Sequence, residues 1–302
     1  MVATGLAKEF WILLLARAFA GIFAANISTA SAYIADITSE ENRAKGMGVI
    51  GAGFGLGFIF GPALGGILSG RGYTFPILLA AGLGFANFIL AFFVLKEPEK
   101  HEKPESRSRW AGVNEALSHS RTKLPISLFF LHTLAFTQLE VAFGLFVLAR
   151  FGLEARDAGK LLAFMGLVSA MLQGGLIGRL TKRFGEQNLV PAALALMVIA
   201  MFAAAFAYNQ MIFTICLFGI ALGMGITNPC LSSLTSKGAA PGRKGSILGV
   251  YQSAGSLARV LGPPVAGVLF DRLGPASPLL TASGLAAMAT VLSFVEIGRA
   301  HV

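Results

Sequence analysis

Three ionisable side chains lie inside stretches that are otherwise apolar: Arg17 in the run Trp11 to Ile34, Glu140 in Pro125 to Leu148, and Arg259 in Ser246 to Phe270. A charge at the centre of a bilayer costs about 2.5 to 3.5 kcal/mol on insertion scales, so such groups face a cavity or a partner. Glu140 shares one helical face with Thr133, Thr137 and Gly144, and Gln138 and His132 lie on the same run. A carboxylate in a cavity of reduced dielectric is suited to reversible protonation; the alternative is a fixed hydrogen bond to a neighbouring helix. Arg259 follows Gln252 and Ser256 at helical spacing. It binds an anionic group of a substrate, pairs with Glu140, or holds a structural salt bridge. Arg17 stands six residues after Trp11, so it serves the cavity or snorkels to the interface. Asn26, Asn228 and Pro229 are further polar or kinking positions for a cavity wall.

Other chemistries find no support. The segment "GVIGAGFGLGFIFGPALGG", Gly48 to Gly66, invites comparison with a phosphate-cradling loop, which requires G-x-G-x-x-G after a strand. The third glycine is missing in both possible registers, where Leu56 and Phe58 stand instead. Cys216 and Cys230 fall on one expected helix about 21 Å apart at 1.5 Å per residue, too far to bridge. No metal, cofactor or covalent catalysis is expected, and the chain is not read as an enzyme.

These residues need elements that cross a membrane. Of 302 residues, 55% are hydrophobic and 13% charged, against about 25% charged in soluble domains, and the mean hydropathy is +0.72. Nine apolar stretches approach the ~20 residues that span ~30 Å of hydrocarbon: Trp11–Ile34, Gly46–Ser69, Thr74–Leu95, Pro125–Leu148, Ala158–Gly178, Leu189–Ala207, Met211–Ser233, Ser246–Phe270 and Ser277–Ile297. The fold class is therefore an all-α membrane bundle. Of the 24 Lys and Arg, sixteen fall on one set of alternating turns and six on the other. By the positive-inside rule the richer set is cytoplasmic, which puts the amino terminus outside and the carboxyl terminus inside. The net charge of +9 follows from that bias, so anionic lipid headgroups and not nucleic acid are the expected partners. The polar stretch Lys96 to Lys123 reads as a linker with a short surface helix near Trp110 to Leu117. It divides the chain into 1–95 (three spans), 96–124 (cytoplasmic linker) and 125–302 (six spans).

An internal repeat reinforces the division. Gly48 to Leu68 lies on Gly249 to Leu269 at a constant offset, matching Gly61 with Gly262, Pro62 with Pro263 and Gly66 with Gly267, and a short basic turn precedes each copy. Such duplication is the arrangement of many secondary transporters.

On these residues the chain resembles the major facilitator superfamily, in its tetracycline-efflux-like drug/proton antiporter branch. "RAFAG", with Arg17 and Gly21, is similar to the motif of the family's fourth helix. Gly48, Gly57, Gly61, Pro62, Gly65 and Gly66 match without a gap the antiporter motif G-x8-G-x3-G-P-x2-G-G of its fifth helix. "AYIADITSEENRAKGMG" resembles the following cytoplasmic turn, and "GGLIGRLTKRFGE" the loop between helices eight and nine. The resemblance implies family helices four to twelve and a chain that lacks the first three, through truncation or a wrongly chosen start. It also implies a proton-transfer role for Arg17, and a cytoplasmic gate of paired charges at Asp36, Arg43, Arg179, Lys182 and Arg183, whose basic members also set the topology.

The sequence thus reads as a monomeric multi-pass carrier of a bacterial inner membrane that exchanges protons for a small amphipathic compound by alternating access. The runner-up is a truncated, non-transporting membrane remnant or interaction subunit. A stripe of small residues four apart, Gly53, Gly57, Gly61 and Gly65, is expected to seal a helix interface and act as a hinge, with Pro62 bending or stiffening the helix.

Overall fold

In hydrocarbon a segment must satisfy its own backbone, and an apolar run does so as a helix. The structure, a computed structural model, describes residues 1–23, 26–69, 74–95, 109–153, 155–240 and 242–299, and every regular element among them is helical. In chain order these are α1 (Val2–Leu6), α2 (Phe10–Ile22), α3 (Asn26–Ile37), α4 (Arg43–Ser69), α5 (Thr74–Val94), α6 (Arg109–Ser118), α7 (Ser120–Phe151), α8 (Ala155–Met171), α9 (Ile177–Phe184), α10 (Glu186–Ala205), α11 (Gln210–Gly238), α12 (Lys244–Leu273) and α13 (Ser277–Arg299). A π-helical turn, Leu172–Leu176, joins α8 to α9 without a break. Seven helices among the described residues are long and apolar enough to cross a membrane, with α8 and α9 counting as one.

The first predicted span is corrected. Trp11–Ile34 comes as two helices, α2 of 13 residues and α3 of 12, each about 20 Å long or less and too short to cross alone. Helix α2 is capped at Phe23, whose N–H turns back to the Ala20 carbonyl at 3.3 Å, and α3 is described from Asn26, whose Oδ1 accepts from the Ile27 N–H at 3.1 Å. The expected surface helix is α6. The short connection at Tyr208 to Gln210 is closed by Asn209, whose Oδ1 accepts from the Ile212 N–H at 2.9 Å and caps α11.

Helices α7 to α13 pack on one another, with α10 between α11 and α13 and α7 between α12 and α13. The core is Leu139, Phe143, Phe146, Met197, Met201, Phe213, Leu217 and Ile220. Small residues bring the backbones close: a Cβ on Gly219 would lie 3.1 Å from the Ala200 Cβ, and one on Gly223 would lie 2.9 Å from the Ala193 carbonyl and overlap Met197. Helix α7, 32 residues long, ends at Gly152, whose left-handed φ of +67° lets its N–H reach the Leu148 carbonyl at 2.9 Å. In contrast, α10 has 20 residues. Helix α3 lies on α12, and α4 on α8 and α11. No residue of α2 or α5 is buried.

Candidate functional site

The site is built on α12, whose first turns touch α3. Lys244 Nζ lies 3.5 Å from Asp36 Oδ1, a Cβ on Gly245 would lie 3.7 Å from the Ala32 Cβ, and Leu248 is buried with Ala35 and Met47. Gly245, Gln252 and Arg259 are seven apart, and seven residues return an α-helix to within about 20° of the same side. Gln252 and Arg259 therefore continue the side that touches α3, and they become half-buried and then exposed: beyond the contact, that side opens.

Helices α7 and α11 bring polar groups to the same place. The parallel run of α7 beside α12 is fixed by Phe129, stacked on Tyr251 at 3.9 Å between centroids, and by Gly262, where a Cβ would meet the Thr137 side chain at 2.5 Å. His132, 1% exposed, has Asn228 and Arg259 as polar neighbours, and Arg259 is also within electrostatic range of Tyr251. The Tyr251 hydroxyl donates to the Asn228 carbonyl at 3.5 Å, and the buried Gln138 donates from Nε2 to the Gly262 carbonyl at 3.3 Å. His132 Nδ1 and Gln138 Oε1 are buried without a hydrogen-bond partner, a costly state in low dielectric unless a ligand or water completes it.

Glu140 stands apart from this cluster. The expected polar stripe divides: Thr133 and Thr137 are buried, Thr137 donating to the Thr133 carbonyl at 2.7 Å, whereas Glu140 and Gly144 are exposed. Gly262 of α12 covers Thr137. Glu140 and Arg259 form no ion pair with each other among the described residues. Arg17 is exposed on α2, and Asn26 is exposed at the start of α3.

The glycine-rich helix α4 packs on α8 through a different face from the one expected. A Cβ on Gly48 would lie 2.7 Å from the Gln173 carbonyl oxygen and 2.8 Å from Ile177 Cγ2; one on Gly51 would overlap the Gln173 amide; one on Gly55 would lie 2.8 Å from the Gly166 carbonyl and 2.9 Å from the Ala170 Cβ. Gly53, Gly57 and Gly61 have nothing within 4 Å, so they seal no interface with the described chain. The reason lies in the partner: α8 offers its own small residues and the π-turn carrying Gln173 to the 48–51–55 face. Pro62, Gly65 and Gly66 lie within α4, but their surroundings fall outside the described residues.

At the basic end, the charges expected to gate are sorted by the structure. Asp36 pairs with Lys244. Arg43, 5% exposed, turns inward and donates from Nη2 to the Thr38 carbonyl at 2.8 Å, closing its own turn. Arg179, Lys182 and Arg183 are exposed, Arg183 lying over the Phe184 ring at 5.3 Å. Lys45 lies against the backbone at Gly178. Sequence reasoning missed three contacts here: Lys244 as the partner of Asp36, the ion pair of Glu115 with Arg243, and Glu186, which accepts from Ser233 at 2.8 Å and Lys237 at 2.9 Å. None has a local signal, since the partners are remote in sequence. A cavity of about 620 Å³ lined by Glu41, Lys182, Glu186 and Lys237 opens at this end. No group of three or more metal-ligating side chains occurs among the described residues, and both cysteines are free and buried.

Against known proteins, the profile of the Major Facilitator Superfamily matches residues 1–263. The class C tetracycline resistance protein of Escherichia coli is 32% identical over 270 residues, covering 86% of this chain and 66% of the relative. Multidrug resistance protein 2 of Bacillus subtilis is 27% identical over 274 residues, covering 88% and 68%. Among solved structures, the human organic anion transporter MFSD10 superimposes with a TM-score of 0.83 at 28% identity, over 96% of this chain and 73% of that one. The chain thus spans about two thirds of the length of the curated relatives it matches.

Proposed function

The chain belongs to the Major Facilitator Superfamily, a family of transporters, and is an integral multi-pass membrane protein; from that premise we propose that it works by alternating access and exports a small amphipathic compound in exchange for protons. One observation carries the reading. Helices α3 and α4 meet α8 and α12 at the basic end, through Asp36 and Lys244, Lys45 and Gly178, and Gly48 and Gln173. Farther along α12, on the side that touches α3, Gln252 is half-buried and Arg259 is exposed. A carrier closed at one end and open at the other has this form.

With the basic end taken as cytoplasmic, this state faces outward. Residues 1–95 and 125–302 are then the two moving bodies, joined by the linker 96–124. In this reading Glu140 is the group that loads and releases the proton, and Arg17, Asn26, Gln138, Asn228, Gln252 and Arg259 line the path. The names of the relatives, tetracycline and multidrug resistance proteins and an organic anion transporter, support a small organic cargo.

The experiment is proton movement in vesicles that hold the protein. Adding tetracycline to energised vesicles is expected to release protons from the lumen, and Glu140→Gln is expected to abolish that response while leaving expression and substrate binding measurable. Unchanged dependence on the pH gradient in Glu140→Gln removes Glu140 from the mechanism. A second reading, a non-transporting membrane interaction subunit, is favoured by α5, an apolar helix none of whose residues is fully buried against the chain; it predicts no cargo-dependent proton movement at all.

A further inference from the structure

We propose that Arg259, His132 and Asn228 form an anion subsite inside the membrane, and that it takes the carboxylate of the carried compound. Calling the ligand cargo rests on the transporter reading; the existence of the subsite does not. Arg259 is a permanent cation in the midst of a membrane helix, where an unpaired charge needs a counter-charge. Among the described residues, its polar neighbours are His132 on α7, itself beside Asn228 of α11, and Tyr251 on its own helix. Glu140 is exposed and not paired with it.

The shape of the cluster identifies what is missing. The guanidinium is a planar fork of donors that fits the two oxygens of a carboxylate. Asn228 is half-buried and adds an amide to the same patch. His132 is 1% exposed and keeps a ring nitrogen, Nδ1, with no hydrogen-bond partner; in one tautomer it is a donor. Three groups able to donate, one of them a permanent cation, with no acid between them among the described residues, describe a site for a small anion. The site is accessible, because Gln252 and Arg259 stand on the side of α12 that opens beyond its contact with α3.

The test uses the 302-residue chain in lipid nanodiscs and equilibrium dialysis with three labelled probes of one shape: 2-naphthoate, 2-naphthamide and 2-naphthylmethylammonium. The wild type is expected to bind naphthoate at least tenfold more tightly than naphthamide, and the ammonium probe most weakly. Arg259→Gln is expected to erase the preference while naphthamide affinity stays within about twofold, Arg259→Lys to keep part of it, and Asn228→Ala or His132→Gln to reduce it severalfold. Equal affinity for naphthoate and naphthamide, no binding of naphthoate, or an intact preference in a folded Arg259→Gln overturns the proposal. Should Arg259→Gln fail to fold, the Arg259→Lys and Asn228→Ala ratios decide, and an unchanged ratio in both overturns it. A carboxylate preference that depends on Arg259, in a chain that moves no protons in vesicles, sinks the transporter reading and leaves the subsite standing.

Discussion

Substituting Gly48 by alanine is expected to open the basic end. The added Cβ would sit 2.7 Å from the backbone carbonyl of Gln173 and 2.8 Å from Ile177 Cγ2. A carbonyl fixed in a helix cannot swing aside as a flexible side chain does, so α4 and α8 must part by several tenths of an ångström. Overpacking of this kind costs about 1 to 3 kcal/mol, which shifts an equilibrium between closed and open arrangements roughly 5- to 150-fold. Gly55→Ala meets the Gly166 carbonyl at 2.8 Å and is expected to behave alike. Gly57→Ala and Gly61→Ala meet nothing within 4 Å and are expected to leave the equilibrium within about 0.5 kcal/mol. The assay is the rate of crosslinking between Asp36→Cys and Lys244→Cys, in a background with Cys216 and Cys230 replaced by alanine, since their parent side chains are paired only when this end is closed. Loss of crosslinking in the Gly48 and Gly55 variants, with retention in the Gly57 and Gly61 variants, is the expected pattern. The reverse pattern refutes the assignment of the packing face. Gly51→Ala adds a check: its Cβ overlaps the Gln173 amide, so Gln173→Ala is expected to rescue Gly51→Ala and not Gly48→Ala.

Asp36→Lys alone is expected to lower the closed fraction by less than about tenfold, in keeping with the 0.2 to 1 kcal/mol of solvent-accessible ion pairs, and the exchange Asp36→Lys with Lys244→Asp to restore it. Spin-label distances between the basic ends of α3 and α12 read both, and a double variant as open as the single one refutes the pairing. Glu186→Gln leaves Lys237 without its 2.9 Å counter-ion and is expected to cost about 1.5 to 3 kcal/mol of stability, seen as a lower thermal midpoint of the chain in detergent. Gly223→Val, which drives a side chain into Met197 and the Ala193 carbonyl, is expected to cost about 1 to 3 kcal/mol, whereas Gly249→Val, with nothing within 4 Å, is not; equal midpoints for the two refute the packing argument.

The helices were legible in the sequence because lipid leaves an apolar run few alternatives; the surface helix α6 was legible from local chemistry alone. The division of Trp11–Ile34 into α2 and α3 was not, since α2 ends within an unbroken apolar run, at Ile22. The packing face of α4 was not either. Gly48, Gly51, Gly53, Gly55, Gly57 and Gly61 make overlapping stripes, and which one is used depends on Gly166, Ala170 and Gln173, more than a hundred residues away. For the same reason, Lys244 could not be matched with Asp36, and His132 read as a neighbour of Glu140 when its polar neighbours are Asn228 and Arg259.

The unequal helix lengths make bilayer thickness a variable of this protein. At 1.5 Å per residue, the 32 residues of α7, 29 of α11 and 30 of α12 extend about 44 to 48 Å, whereas α10 with 20 and α5 with 21 extend about 30 to 32 Å. Only the shorter set matches a hydrocarbon core of ~30 Å upright. The longer set must tilt or carry whole turns into the headgroups, as the polar beginning of α7 at Ser120 to Lys123 and the polar close of α11 at Ser232 to Lys237 allow. Any motion that parts α4 from α8 or α3 from α12 changes those tilts. Since mismatch costs fractions of a kcal/mol per ångström, alternating access as proposed would make membrane thickness bias which end is closed, with acyl-chain length an effector without a binding pocket.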